Sequence, residues 1–258
     1  MPFLRVLALV VIILLAATAG TSGQWFRFST PKLPRLSDGT LNVDAATPRL
    51  PDGRIDLSGL WLKQTAGRTV LRPADGSALP FTDVGRKLYE QRRESNQMDL
   101  PSSRCLPNGI PLQLWIAVPF KILNAAPDLT VMLFEEFNHY RQIFTDGRQL
   151  IQGMDAPSWF GYSVGRWEGQ SFVVTSHGFR EESWLDLEGL PHSERLQLTE
   201  RYLRPSFGKM TLQVTFDDPV MFTKTWTAAP IELRFVADTE LMDRICENER
   251  DRAHLVGK

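Results

Sequence analysis

The sequence predicts a mainly β fold, an antiparallel barrel or a sandwich, with one N-terminal helix and a short C-terminal helix. Three observations lead there. Short runs rich in β-branched and aromatic residues recur from Phe120 onward, with turn residues between them. Only one segment has a strong helical pattern. Ahead of it lies a proline-rich stretch with no sustained periodicity.

Residues 24–52 carry Pro31, Pro34, Pro48 and Pro51 among Ser, Thr, Gly and Asp, and read as an extended lead-in. Order begins near Ile55 and Trp61. Thr82 is a good N-cap for a helix over 83–95, where Val84, Leu88 and Gln91 or Arg92 fall at helical spacing. Pro101, Pro107, Asn108, Gly109 and Pro111 then make a long turn-rich loop around Cys105. Strands are expected over 120–124 and 129–135, split by Pro127-Asp128, and over 140–144, ended by Asp146-Gly147. Segments 160–167 and 171–177 flank the hairpin turn Glu168-Gly169-Gln170. Segments 195–203, 209–216 and 223–235 complete the series. The last is broken at Pro230, because proline cannot donate to a ladder. Residues 238–246 fit a strand or a helical turn, and 247–255 a short terminal helix.

The first residues point to export. Arg5 and the amino terminus form a weakly positive start, residues 6–17 are unbroken apolar, and Ala17-Thr18-Ala19 offers a small-x-small cleavage pattern. The apolar run alone falls short of the about 20 residues that span a bilayer. No charge appears until Arg27, so a cleaved signal peptide and an uncleaved anchor both fit. The expected organisation is a leader over 1–23, the lead-in over 24–52 and one domain over 53–258, in a periplasmic or secreted protein. In a reducing compartment Cys105 and Cys246 would be unrelated buried thiols; in an oxidising one their even count suggests a bridge. Such a bridge would close roughly 140 residues and stabilise by about 5 kcal/mol in the chain-entropy picture.

With 29 basic and 30 acidic residues and no long run of like charge, the chain has no electrostatic footprint for nucleic acid. A membrane is expected to matter only through an uncleaved leader. No Gly-rich phosphate loop opens a helix, so no nucleotide cofactor is expected. His139, His177, His192 and His254 lack metal-ligand spacing, so no zinc site is expected, and a metal assembled from distant residues is the one arrangement left open. Gly161-Tyr162-Ser163-Val164-Gly165 matches the nucleophile-elbow pattern, but that elbow needs a strand–turn–helix and a β hairpin is expected here.

Alternation supplies the candidate chemistry. In 195–203 one face reads Leu196, Leu198, Glu200 and Tyr202, which turns Glu200 inward among apolar neighbours. A buried carboxylate is a candidate acid or base, or else half of an ion pair with an inward arginine such as Arg141 or Arg166. The next strand puts Met210, Leu212, Val214 and Phe216 on one face and closes at Asp217-Asp218-Pro219, which reads as a turn. Between His177 and Arg195 runs a 17-residue connection holding Trp184, Asp186, Gly189, Pro191, His192 and Glu194. Connections of that length are usually functional, and Asp186 and His192 can orient each other as a carboxylate–imidazole pair. The bland reading is a surface loop whose polar groups stay wet. The aromatic content suits an apolar or aromatic ligand, with Arg141, Tyr162, Trp184, Tyr202 and Trp226 as candidate binding residues.

Two resemblances add to this. Gly59-Leu60-Trp61 resembles the G-x-W that opens lipocalins, which implies a closed antiparallel barrel with a ligand cavity, its tryptophan plugging one end. Much of the ordered chain is similar to an uncharacterised family of exported bacterial proteins. The segments that carry this likeness include Arg141 to Arg148, Gly161 to Gly169, Trp184-Leu185-Asp186, Pro191-His192-Ser193-Glu194, Thr199-Glu200-Arg201-Tyr202 and Asp217-Asp218-Pro219. That likeness implies export and these boundaries, and no activity.

Two functions are therefore expected in competition. One is a cofactor-independent acid–base enzyme (lyase, isomerase, cyclase or hydrolase type) on an apolar or aromatic small molecule, with His192, Asp186 and Glu200 as catalytic groups. The other is a non-catalytic, lipocalin-like carrier of an apolar ligand. An interaction module of an envelope complex is a third reading, which would present a large exposed apolar patch.

Overall fold

The structure, a computed structural model, describes residues 28–64, 70–96, 98–151 and 156–246. The leader and the expected terminal helix over 247–255 lie outside the described residues. Among the described residues ten strands occur: β1 (Gly59–Lys63), β2 (Phe120–Ala126), β3 (Leu129–Phe134), β4 (His139–Phe144), β5 (Tyr162–Glu168), β6 (Ser171–His177), β7 (Gln197–Ser206), β8 (Lys209–Asp217), β9 (Trp226–Thr227) and β10 (Ile231–Phe235). Two α-helices accompany them, α1 (Asp83–Glu94) and the four-residue α2 (Leu112–Trp115).

The strands pair in sequence order from β1 to β8, and β10 then pairs with both β8 and β1, which closes the sheet into a barrel. β9 and β10 are two halves of one returning strand along β8, interrupted around Ala229-Pro230 as the proline requires. Nine strands then form the ring, and an odd ring cannot alternate direction all the way round. The parallel neighbours are β4 and β5, joined only at Phe144 and Val164.

Alternation fills the interior. Phe120, Ile122, Met132, Phe134, Ile143, Phe172, Val174, Leu198, Met210, Leu212, Val214 and Leu233 are all buried. Gly165 faces inward as well; a Cβ there would lie 2.5 Å from the Phe172 ring, so the missing side chain makes room for that ring. Trp61 is fully buried, donates to Leu57 O, and lies beneath the Arg204 guanidinium at 4.8 Å from its ring.

The two ends of the barrel differ. At one, called the open end, lie the hairpin turns β2–β3, β5–β6 and β7–β8, crossed by the lead-in and the residues just after it, where Asp56 O accepts from Arg204 and the Asp56 side chain accepts from Asn124. The other, capped end receives three long connections: residues 64–119 with α1 and α2, residues 178–196, and the turn that follows Asp217. Residues 238–246 are neither strand nor helix. They are held from outside, by Met242 N on Glu135, Arg244 N on Asn138 and the Cys105–Cys246 disulfide, so they need no ladder of their own.

α1 begins as its cap dictates, with Gly85 N donating to Thr82 Oγ1. The Thr82 hydroxyl donates in turn to Val220 O. The helix docks so closely on this turn that a Cβ on Gly85 would sit 2.2 Å from Met221 O. Helix propensity alone would make Gly85→Ala stabilising by about 1 kcal/mol. Overpacking reverses the sign, and a net loss of about 1–3 kcal/mol is expected in urea unfolding. A raised midpoint would show that α1 is not docked this way.

Candidate functional site

Among the described residues two buried polar clusters and one cleft bear on function. The first is a network sealed inside the barrel. Arg141 reaches across from β4 and binds both oxygens of Glu200, at 3.0 and 2.5 Å, with each side chain almost wholly covered. The Arg141 Nε donates to Ser163 at 3.0 Å and its Nη2 to Ser176 at 2.8 Å, and the Tyr202 hydroxyl donates to Glu200 at 2.7 Å. Burial works against the Arg141 charge, but the Glu200 carboxylate more than offsets it and holds the guanidinium above its ordinary value. Burial and the Glu200 charge push the Tyr202 phenol well up. Such a buried and fully partnered network holds its protons in place. It is a structural ion pair with Arg141 rather than Arg166, which points outward to Glu168.

The second place is the capped end. Asp186 is fully buried and spends its carboxylate on backbone amides: Leu71 N at 3.0 Å, Glu188 N at 2.9 Å and Leu190 N at 3.0 Å. It thereby ties the 185–190 turn to the chain ahead of α1, and burial raises its pKa despite those three donors. No hydrogen bond joins it to His192. The His192 ring instead meets Ser193 O through Nδ1 at 3.0 Å and Ser183 Oγ through Nε2 at 2.6 Å. A carbonyl only accepts, so Nδ1 carries the proton and Nε2 accepts from the serine. Asp218 fixes Ser193 from behind, accepting from its N at 2.6 Å and its Oγ at 2.8 Å. The same Asp218 also accepts from Val220 N and thus builds the turn expected at Asp217-Asp218-Pro219. Burial lowers the His192 pKa to about 4, with the Arg92 charge adding to the effect.

The third place is a cleft of about 460 Å³ at the open end. Leu57, Trp167 and Phe172 form its apolar floor, where Phe172 lies against Tyr202 of the sealed network. Leu50, Pro51 and Asp52 of the lead-in, with Arg54 just after it, make one wall. Asn124, Pro127, Thr130 and Thr145 make the other.

The residues named from sequence are thus distributed rather than gathered. Glu200, Arg141 and Tyr202 share the sealed network. Asp186 and His192 sit in the cap, in separate hydrogen-bonded settings. Trp184 lies under Arg92 at 5.2 Å, and Trp226 stacks on Phe216 at 4.4 Å. Tyr162 is on the outer wall, stacked on Phe144 and accepting from Arg148. These aromatics do not line one cavity. Sequence reasoning did not single out the cleft, because its wall comes from the aperiodic lead-in; the inward parity of Trp167 with Ser163 was the available signal. Ser183 was also missed, although it lies in the connection that holds His192.

Among the described residues no group of His, Cys, Asp or Glu is arranged to hold a metal, and no helix is long and apolar enough to cross a membrane. The molecule belongs, by its fold, to the closed β-barrels. No family model, curated protein or solved structure matches the chain.

Proposed function

We propose that this is an exported binding barrel that carries a small, mostly apolar ligand with an aromatic part in its open-end cleft. One observation carries the reading: the cleft, at about 460 Å³, has the size of ordinary ligand sites and combines an aromatic floor with a few polar groups at its rim. The acid–base alternative needs Glu200, Asp186 and His192 to converge, and Glu200 lies in the sealed network while Asp186 and His192 stand in separate hydrogen-bonded settings in the cap. Export rests on the leader-like first residues and is supported by the disulfide, since such bridges persist in oxidising compartments.

Fluorescence titration with 1-anilinonaphthalene-8-sulfonate tests this. Saturable binding with quenching of tryptophan emission is expected. Trp167→Ala is expected to weaken it about 10-fold, the loss of roughly 1.4 kcal/mol of stacking and apolar contact. Ala126→Trp, which fills the cleft from its exposed rim, is expected to abolish it. Unchanged affinity in both variants would remove the cleft as the site.

A further inference from the structure

The cap contains more polar chemistry than its architecture consumes. Six buried side-chain atoms there have no hydrogen-bond partner among the described residues: Arg92 Nη1, Asn108 Oδ1, Gln113 Oε1, His139 Nε2, His177 Nε2 and Trp226 Nε1. All six belong to strand ends or connections at the capped end, while the sealed network inside the barrel is satisfied. Buried polar atoms left unpaired cost about 1–3 kcal/mol each, so a concentration of them calls for a water or a ligand that completes them. Asn108 and Gln113 are 2% and 1% exposed. Next to Asn108, Gly109 has φ +79° and approaches so closely that a Cβ would lie 2.6 Å from Ser183 Cβ. The Ser183–His192 hydrogen bond lies in the same cap, with Gly109 against Ser183 and the Arg92 charge acting on His192.

We propose that Ser183 and His192 are a nucleophile–base pair that cleaves small carboxylic esters through an acyl-serine. The hydrogen bond runs in the productive direction, from Ser183 Oγ–H to an imidazole nitrogen that is free to accept. The base is oriented by a third group, Ser193 O, which Asp218 in turn holds. In the first half-reaction Ser183 Oγ bonds the acyl carbon as its proton passes to His192 Nε2. The alkoxide leaves with that proton, which yields an alcohol and the acyl-serine. In the second, water gives its proton to His192 and its oxygen to the acyl carbon, and Ser183 departs reprotonated with release of the acid. Arg92, with one unspent donor and a charge felt at His192, is the cationic group available to the developing oxyanion.

Ser183 is fully covered, with exposed Glu181 and Glu182 just before it, so reaction requires the 178–194 connection to open. The test is covalent: the full chain is treated with an alkyl fluorophosphonate and read by intact mass and peptide mapping. Here Ser183 Oγ displaces fluoride from phosphorus, and the serine proton leaves with it through His192. One adduct on Ser183 is expected, absent in Ser183→Ala and formed at least about 100-fold more slowly in folded His192→Gln. The rate is expected to fall as pH drops through about 4, where His192, faced by Arg92, Asp218 and Glu182, takes up its proton. No adduct on wild-type Ser183 under conditions that fully label a reference serine esterase overturns the proposal. So does wild-type labelling speed in His192→Gln. Mapping of the wild-type protein decides the first point even if a variant fails to fold. Dye binding at the opposite end is expected to be unchanged in Ser183→Ala, so this proposal and the carrier reading stand or fall separately.

Discussion

Arg141→Met is expected to lower stability by about 3–5 kcal/mol, the largest single effect in the barrel. The substitution keeps most of the buried volume but leaves the Glu200 carboxylate uncompensated, with Tyr202 as its remaining donor. The Ser163 and Ser176 hydroxyls also lose their guanidinium partner. The informative comparison is the double variant Arg141→Met/Glu200→Met. Replacing both charges removes the desolvation cost along with the attraction, so most of the loss should be recovered, to within the about 1–3 kcal/mol of an unpartnered tyrosine hydroxyl. Chemical denaturation of the two single variants and the double variant measures this directly. Additive losses would mean that Arg141 and Glu200 do not act as a pair.

Acidification is expected to remove about 3 kcal/mol between pH 6.5 and pH 4 through His192 alone. Its folded pKa of about 4 lies below the ordinary value of 6.5, so across that window the unfolded chain binds a proton that the folded chain does not. Stability therefore falls as pH falls through the window and levels off below about 4. The groups facing the ring, Arg92, Asp218 and Glu182, do not offset the cost of burial. His139, also lowered by burial, acts in the same direction, whereas Asp186, raised by burial, acts in the opposite one. Urea midpoints at pH 7 and pH 4.5 should separate in the wild-type protein and separate much less in His192→Gln. An equal separation in both would assign the acid sensitivity to other groups.

Much of the fold was legible locally. Alternation at period two placed Glu200 and Tyr202 on the inner face of β7 and named Arg141 as one of two possible partners, because a pleated strand leaves each side chain only two directions. Thr82 started α1, and Pro230 interrupted the returning strand, because capping and the missing N–H are properties of single residues. The cysteine count suggested the bridge that ties the tail to the loop at Cys105.

What the chain by itself determined is therefore which residues turn inward and where elements start and stop. The tertiary structure alone decided which inward groups meet. Barrel closure chose Arg141 over Arg166, and the parallel β4–β5 contact follows from the odd strand number, which no local pattern encodes. Asp186 and His192 share one connection, yet the first was drawn to the backbone of residue 71 and the second to Ser183. The lead-in, aperiodic in sequence, acquired its role as a cleft wall only by lying across the open end. Periodicity is a short-range property of the backbone, whereas pairing partners are selected by long-range packing in which every buried polar group competes for the donors within reach.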